Sequence, residues 1–360
     1  MPEIKRKPED FIVREIFEKE TEEDEGRGYY VWFTLKRKNW DLFQALRAIA
    51  KKLGVSIKRF GYAGVKDKRA VAYQRISVWN VPVEKLKALK IKDMELSDFE
   101  IRKERINLGD LKANQFEIVI RDIGKDEKDK IEKNLERIKR EGFVNYFGEQ
   151  RFGFRGNTHL VGKAILKNNL KEAVWIYLAG AGERNEEARK FRELVQRDFI
   201  SALKACPKHL RYEKAMLNHL ISNPNDYAGA LRKLPKKLRR MFVHAYQAYL
   251  WNEIARISKE KRIPMIGFRT DIEKYKDREK IWEILKREGV LPENFEIRSM
   301  PELSSEGSER ERIVKPKGME WEFGEDELNE GKIKCTLKFE IPKGSYATVL
   351  INEVTEMDEI

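Results

Sequence analysis

Apolar residues recur with two different periods along this chain, and the prevailing period changes with position. Asp10–Ile16 and Tyr29–Leu35 alternate as strands do. Leu42, Leu46, Ile49 and Leu53 keep helical spacing, which predicts a helix capped by Asn39, running to about Lys52 and ended by Gly54. Phe60–Lys68, rich in glycine and charge, separates it from another strand, Ala70–Val78. Phe116–Ile120 predicts a further strand, and Asp126–Glu141 an amphipathic helix closed by Gly142. From about Gly156 the helical period takes over, at His159–Lys167, Glu186–Lys204, Lys214–Ser222 and Arg240–Ser258. Strand-like stretches return at Lys332–Ile341 and Tyr346–Val354. The pattern predicts one discontinuous β-rich domain carrying a helix-rich insertion. The strongest breaks fall around Asp226–Lys237 and Glu302–Glu311, and no internal repeat is evident.

Composition narrows the function. The 360 residues suggest two domains and are 41% hydrophobic, enough for a substantial core. Lys and Arg outnumber Asp and Glu by 74 to 61, a net charge of +13 that favours a polyanionic partner, nucleic acid first. A dense mixed-charge surface of the heat-adapted kind is the plainer reading, and the two are compatible. Cys206 and Cys335 form no CxxC pair, which fits a reducing cytoplasm. The N-terminus is charged and no apolar run is long enough to span a bilayer, so a soluble cytoplasmic protein without a membrane partner is expected.

Several chemistries find no support. The nearest P-loop match, Gly156 to Gly162, Lys163 and Ala164, has one residue too many and no hydroxyl for magnesium. His159, His209, His219 and His244 form no HxxxH or HExxH pair, so no metal site is expected. No GxSxG elbow occurs. What stands out is a set of dense local segments. Gly61 to Gln74 holds two glycines that permit close backbone approach, followed by Asp67 between Lys66 and Lys68. An aspartate there is either a solvated turn residue or a nucleophile that its flanking cations keep ionised. Asn145-Tyr-Phe-Gly-Glu-Gln-Arg-Phe-Gly153 packs aromatics, amides and an arginine into nine residues. Aromatic faces stack on bases, amides read base edges and arginine forks onto phosphate, although Tyr146 and Phe152 equally suit a core. Tyr346, in Gly344-Ser-Tyr-Ala-Thr348, either stacks on a base or fills a core. Arg232, Lys233, Lys236, Lys237, Arg239 and Arg240 cluster around Pro235, and Lys112 and Arg102 to Arg105 add further positive charge for phosphates.

In combination and order, these segments resemble the TruD family of tRNA pseudouridine synthases. Lys5-Arg-Lys-Pro-Glu-Asp-Phe11 is similar to the family's first motif. Gly64-Val-Lys-Asp-Lys68, with Ala70, Val71 and Gln74, is similar to the segment bearing the catalytic aspartate. Leu108-Gly-Asp-Leu-Lys-Ala-Asn-Gln-Phe116, Asn145–Gly153 and Gly344–Thr348 match further motifs, and Val243–Asn252 resembles a family helix. The resemblance implies an α+β fold: a catalytic domain with a mixed, mainly antiparallel sheet and flanking helices, 1–155 with 309–360, and an inserted TruD-specific domain, 156–308.

It further implies isomerisation of uridine to pseudouridine in tRNA, commonly at position 13, with Asp67 as the catalytic carboxylate. Phe11, Asn145 and Tyr346 would contact substrate. Lys5 would pair with the aspartate or balance charge, and Phe147, Gln150 and Arg151 would shape the pocket. An isomerisation needs no cofactor, so none is expected. The rival readings are a non-catalytic RNA-binding protein or RNA chaperone on the same scaffold, which leaves Asp67 without a role, and a metal-dependent nuclease, which needs carboxylates that do not accompany Asp67 in its motif.

Overall fold

The computed structural model describes residues 2–17 and 29–356. The strands are β1 (Phe11–Phe17), β2 (Tyr30–Lys38), β3 (Phe60–Tyr62), β4 (Val71–Trp79), β5 (Met94–Arg102), β6 (Leu111–Ile123), β7 (Phe143–Val144), β8 (Arg262–Met265), β9 (Ser308–Glu311), β10 (Ile313–Val314), β11 (Lys317–Glu325) and β12 (Ile333–Pro342). The chain divides into two compact units, Met1–Phe143 with Val314–Asp358, and Val144–Ile313.

The first unit is built on a sheet of order β11-β12-β6-β1-β4-β2-β5, with β3 also paired to β4. Its ladders are antiparallel except for β1 with β4, so the sheet is mixed and mainly antiparallel. Alternation on β2 sends Val31, Phe33 and Leu35 to one face, where they meet Leu42, Ala45, Leu46 and Ile49 of the helix Leu42–Leu53. That helix is capped by Asp41, whose carboxylate accepts from the N–H groups of Phe43 and Gln44. Asn39, expected as the cap, instead takes a left-handed turn residue's conformation at φ 56° as the chain leaves β2.

Tyr346–Val354, expected as a strand, is a helix from Ala347 to Thr355. Its β-branched residues suit either structure, but Ala347, Leu350, Ile351 and Val354 are buried together at helical spacing, and packing overrides propensity. The strand Met94–Arg102 was not anticipated; its Met94, Leu96 and Phe99 are half-buried against the apolar core.

The second unit is mainly helical. Its helix Lys236–Ile257 buries Val243, Tyr246, Leu250 and Trp251 among other residues. Gly162, on the helix Thr158–Leu166, lies so close to it that a Cβ would stand 2.1 Å from the Phe242 carbonyl oxygen. The stretch Glu186–Lys204 is two helices, because Asp198 ends the first and caps the second through the N–H groups of Ile200 and Ser201. Among the described residues no helix is long and apolar enough to cross a membrane.

Candidate active site

Asp67 lies on the loop between β3 and β4, and two glycines shape the approach to it. Neither has a positive φ; their role is close packing. A Cβ on Gly61 would stand 2.3 Å from the Ile106 carbonyl oxygen, and one on Gly64 would press on the Lys66 ammonium at 3.2 Å.

The cation that meets Asp67 comes from far away in sequence. Lys5 Nζ donates to Asp67 Oδ2 at 2.8 Å, with 19% and 30% of the two side chains exposed. The same ammonium stands 4.2 Å from the centre of the Phe11 ring, a cation–π contact. Phe11 is buried and meets Phe116 edge-on at 5.8 Å. Lys5 itself is strained, at φ 61°. Its segment is anchored on both sides: Glu3 exchanges backbone hydrogen bonds with Arg121, and Asp10 accepts two bonds from the Arg121 guanidinium.

Lys66, one of the two cations adjacent to Asp67, turns elsewhere. Lys66 Nζ pairs with Glu15 at 2.7 Å, where the Glu15 side chain is fully buried. Gln74, 1% exposed, uses all four hydrogen-bonding positions of its carboxamide. Its Nε2 donates to Glu15 Oε1 and to the Gly64 carbonyl, at 3.2 and 3.0 Å. Its Oε1 accepts from Arg37 Nε and Nη2, at 3.2 and 3.0 Å. Arg37, 0% exposed, also donates to the carbonyls of Trp40, Lys66 and Asp67. Burial pulls its guanidinium below the usual arginine range, while the carboxylates of Asp41, Asp67 and Glu15 pull the other way. Truncating one member of such a buried charged set costs about 3–5 kcal/mol, because its partner is left uncompensated.

Tyr346 also lies in the first unit, as the residue preceding the helix Ala347–Thr355. Its segment is tied towards the Asp67 loop in two steps. Lys343 Nζ donates to the Gly109 carbonyl at 2.8 Å, and Gly109 N–H donates to the Ala63 carbonyl at 2.8 Å.

The remaining expected site residues belong to the second unit. Asn145 is buried, with its backbone N–H on the Arg312 carbonyl and its Nδ2 on the Glu311 carbonyl. Its Oδ1 is buried with no hydrogen-bond partner among the described residues. Phe147 is buried too; its N–H and C=O are both held by the Asn252 carboxamide at 2.9 Å, and Arg310 lies 4.1 Å over its ring. Arg151 lies over the same ring at 5.6 Å, and its Nε is buried without a partner among the described residues. Gln150 is exposed. Thus Lys5 contacts both Phe11 and Asp67, while Asn145, Phe147 and Arg151 share one motif braced by Arg310 and Asn252.

Sequence reasoning missed Glu15, Arg37 and Arg310, and saw Gln74 and Asn252 only as parts of motifs. One signal was present for Arg37: it continues the apolar positions 31, 33 and 35 of β2, where a charge is out of place unless satisfied.

Comparison with known proteins agrees across the chain. The family model described as tRNA pseudouridine synthase D (TruD) matches residues 2–263 and 254–354. A protein of Methanosarcina acetivorans named "Probable tRNA pseudouridine synthase D" is 38% identical, over 99% of this chain and 93% of its own length. One of the same name from Methanopyrus kandleri is 36% identical, over 91% and 86%. The crystal structure of a Methanosarcina mazei protein named tRNA pseudouridine synthase D (TruD) superposes with a TM-score of 0.83 at 35% identity, covering 99% of this chain and 94% of that one. Matched from residue 2 to residue 354 by the family model and over 99% of its length by a relative and a solved structure, the chain belongs to the TruD family of tRNA pseudouridine synthases.

Proposed function

We propose that this protein isomerises uridine to pseudouridine in cytoplasmic tRNA, at position 13, with Asp67 as the catalytic carboxylate. The observation that carries the reading is the Lys5–Asp67 contact, which joins two of the first unit's motifs across 62 residues and presents a carboxylate still partly open to solvent. In the reaction the bond from the ribose anomeric carbon to N1 breaks and a bond from that carbon to C5 forms. N1 gains a proton and C5 loses one, so the exchange is balanced without an electron acceptor.

Asp67 serves this exchange by attacking the anomeric carbon, by adding to the base, or by removing a sugar proton towards a glycal-like intermediate. On each route Lys5 compensates charge as the carboxylate changes state. The target base must leave the RNA stack, at a cost of a few kcal/mol. An aromatic platform returns about 1–3 kcal/mol per base, the role we assign to Tyr346. Asn145 is assigned to the base edge, a role its amide group suits. Phe11 supports the Lys5 ammonium. Phe147, Gln150 and Arg151 are assigned to holding RNA, with Arg151 suited to phosphate.

The test is Asp67→Asn assayed on unmodified total tRNA, with pseudouridine mapped at single-nucleotide resolution. The variant should retain tRNA binding and form no pseudouridine, and the unaltered protein should modify position 13. Undiminished product from Asp67→Asn overturns the catalytic assignment. Product only at other positions overturns the target, and tRNA binding without any product from the unaltered protein favours an RNA-binding role.

A further inference from the structure

Three neighbouring strands, β1, β4 and β2, each send one polar side chain to the underside of the Asp67 loop. These are Glu15, Gln74 and Arg37. Alternation and register explain the convergence: Leu35 pairs with Gln74, and Arg37 follows two positions along on the same face. The row is saturated with hydrogen bonds and ends on the backbone of the loop rather than on any side chain of the site.

The carbonyls it holds are informative. The Lys66 carbonyl belongs to the peptide plane before the Asp67 Cα, and the Asp67 carbonyl to the plane after it. Arg37 binds the first at 2.9 Å and the second at 3.2 Å. One planar, rigid guanidinium therefore pins both planes, which fixes φ and ψ of Asp67 and so the direction in which its carboxylate leaves the chain. Gln74 orients that guanidinium and separately pins the Gly64 carbonyl at 3.0 Å. Glu15 completes the row and takes up the Lys66 ammonium, while Lys5 bonds to Asp67.

We infer that Arg37 and Gln74 are positioning residues that aim the Asp67 carboxylate through the loop backbone, without touching substrate. The inference rests on Asp67 being the catalytic carboxylate. A misplacement of about 1 Å at a reacting group can cost about 100-fold in rate, so the effect belongs in the chemical step and not in tRNA affinity.

The experiment compares Arg37→Met, Arg37→Lys and Gln74→Met with Leu46→Ala, a truncation in the apolar core beneath the same sheet. Each is measured for thermal midpoint, for tRNA dissociation constant and for single-turnover rate on saturating unmodified tRNA, well below every midpoint. We expect Arg37→Met and Gln74→Met to lose roughly 100-fold in single-turnover rate, with tRNA affinity close to that of the unaltered protein. Leu46→Ala should lose stability and keep its rate. Arg37→Lys should recover little, because a lysine cannot fork onto two carbonyls and a carboxamide. Rates no lower than that of Leu46→Ala, or losses confined to tRNA affinity, overturn the inference. If Arg37→Met does not fold, Arg37→Lys and Gln74→Met decide the question by the same criteria. Asp67→Asn measured alongside separates the two ideas: its loss of activity with Arg37 variants at full rate refutes only the positioning role, while its full activity refutes the catalytic reading beneath it.

Discussion

Lys5 offers a test in which stability and activity move independently. At φ 61° its backbone pays the left-handed penalty of a residue with a Cβ, about 1–2 kcal/mol, which glycine escapes. Glycine in turn gives up about 0.5–1 kcal/mol through the freedom of the unfolded chain. Lys5→Gly and Lys5→Ala lose the same ammonium and the same contacts with Asp67 and Phe11. The two variants therefore differ only by strain relief against entropy, which leaves glycine more stable by about 0.5–1 kcal/mol, the reverse of the usual order. For a unit of this size that amounts to roughly 1–4 °C in thermal midpoint. The catalytic loss should be common to both. A hydrogen bond to a charged partner contributes about 1.5–3 kcal/mol, or roughly 10- to 100-fold in rate if it is needed in the transition state. Calorimetric midpoints and single-turnover rates on unmodified tRNA read the two effects. An alanine variant at least as stable as the glycine one refutes the backbone argument. Rates that differ widely between the two variants refute the view that the ammonium is what the reaction loses.

Other positions give simpler outcomes. Gly61→Ala drives a Cβ to 2.3 Å from the Ile106 carbonyl oxygen and should destabilise by about 1–3 kcal/mol in thermal or urea unfolding. Asn252→Ala removes both hydrogen bonds to the Phe147 backbone, each buried, and should cost roughly 2–5 kcal/mol in urea titration of the second unit. Asp326 sets part of the acid limit. Burial alone would raise its pKa, but the Asn329 amide, the N–H groups of Asp122 and Leu328 and the Arg121 guanidinium carry it from 3.8 down to about 2. A carboxylate depressed in the folded state adds stability that is present above 3.8 and lost as pH falls through about 2. The thermal midpoint of Asp326→Asn should therefore vary less with pH across that window than that of the unaltered protein.

The local segments proposed to bear chemistry stand out in the sequence because each is dense in residues with few structural excuses. Asp67 between two glycines and a strand, and Asn145 at the head of an aromatic run, needed no knowledge of the fold to stand out. The strand alternation of β1, β2 and β4 was equally plain. What could not be read was register. Glu15, Arg37 and Gln74 are ordinary residues in their own strands and become a network only once Leu35 faces Gln74 and β1 lies parallel to β4. The C-terminal helix was missed for a different reason. A short apolar run rich in β-branched residues satisfies both periods, and only the folded chain, where Ala347, Leu350, Ile351 and Val354 are buried at helical spacing with Val349 buried as well, decides between them. The roles of Asn252 and Arg310 were hidden because their task is to brace another segment's backbone, which leaves no trace in local composition.

The position of β12 beside β6 has a consequence for how the protein is made. Strand β6 ends at Ile123, and its partner β12 begins at Ile333. At about 5–20 residues per second, a ribosome needs roughly 10–40 seconds to deliver the missing neighbour. Throughout that interval the nascent sheet presents β6 as a bare hydrogen-bonding edge, open to pairing with any other extended chain. Expression at a slowed elongation rate, or truncation before Ile333, should therefore favour aggregates nucleated on β6, and a chaperone that caps strand edges should relieve them.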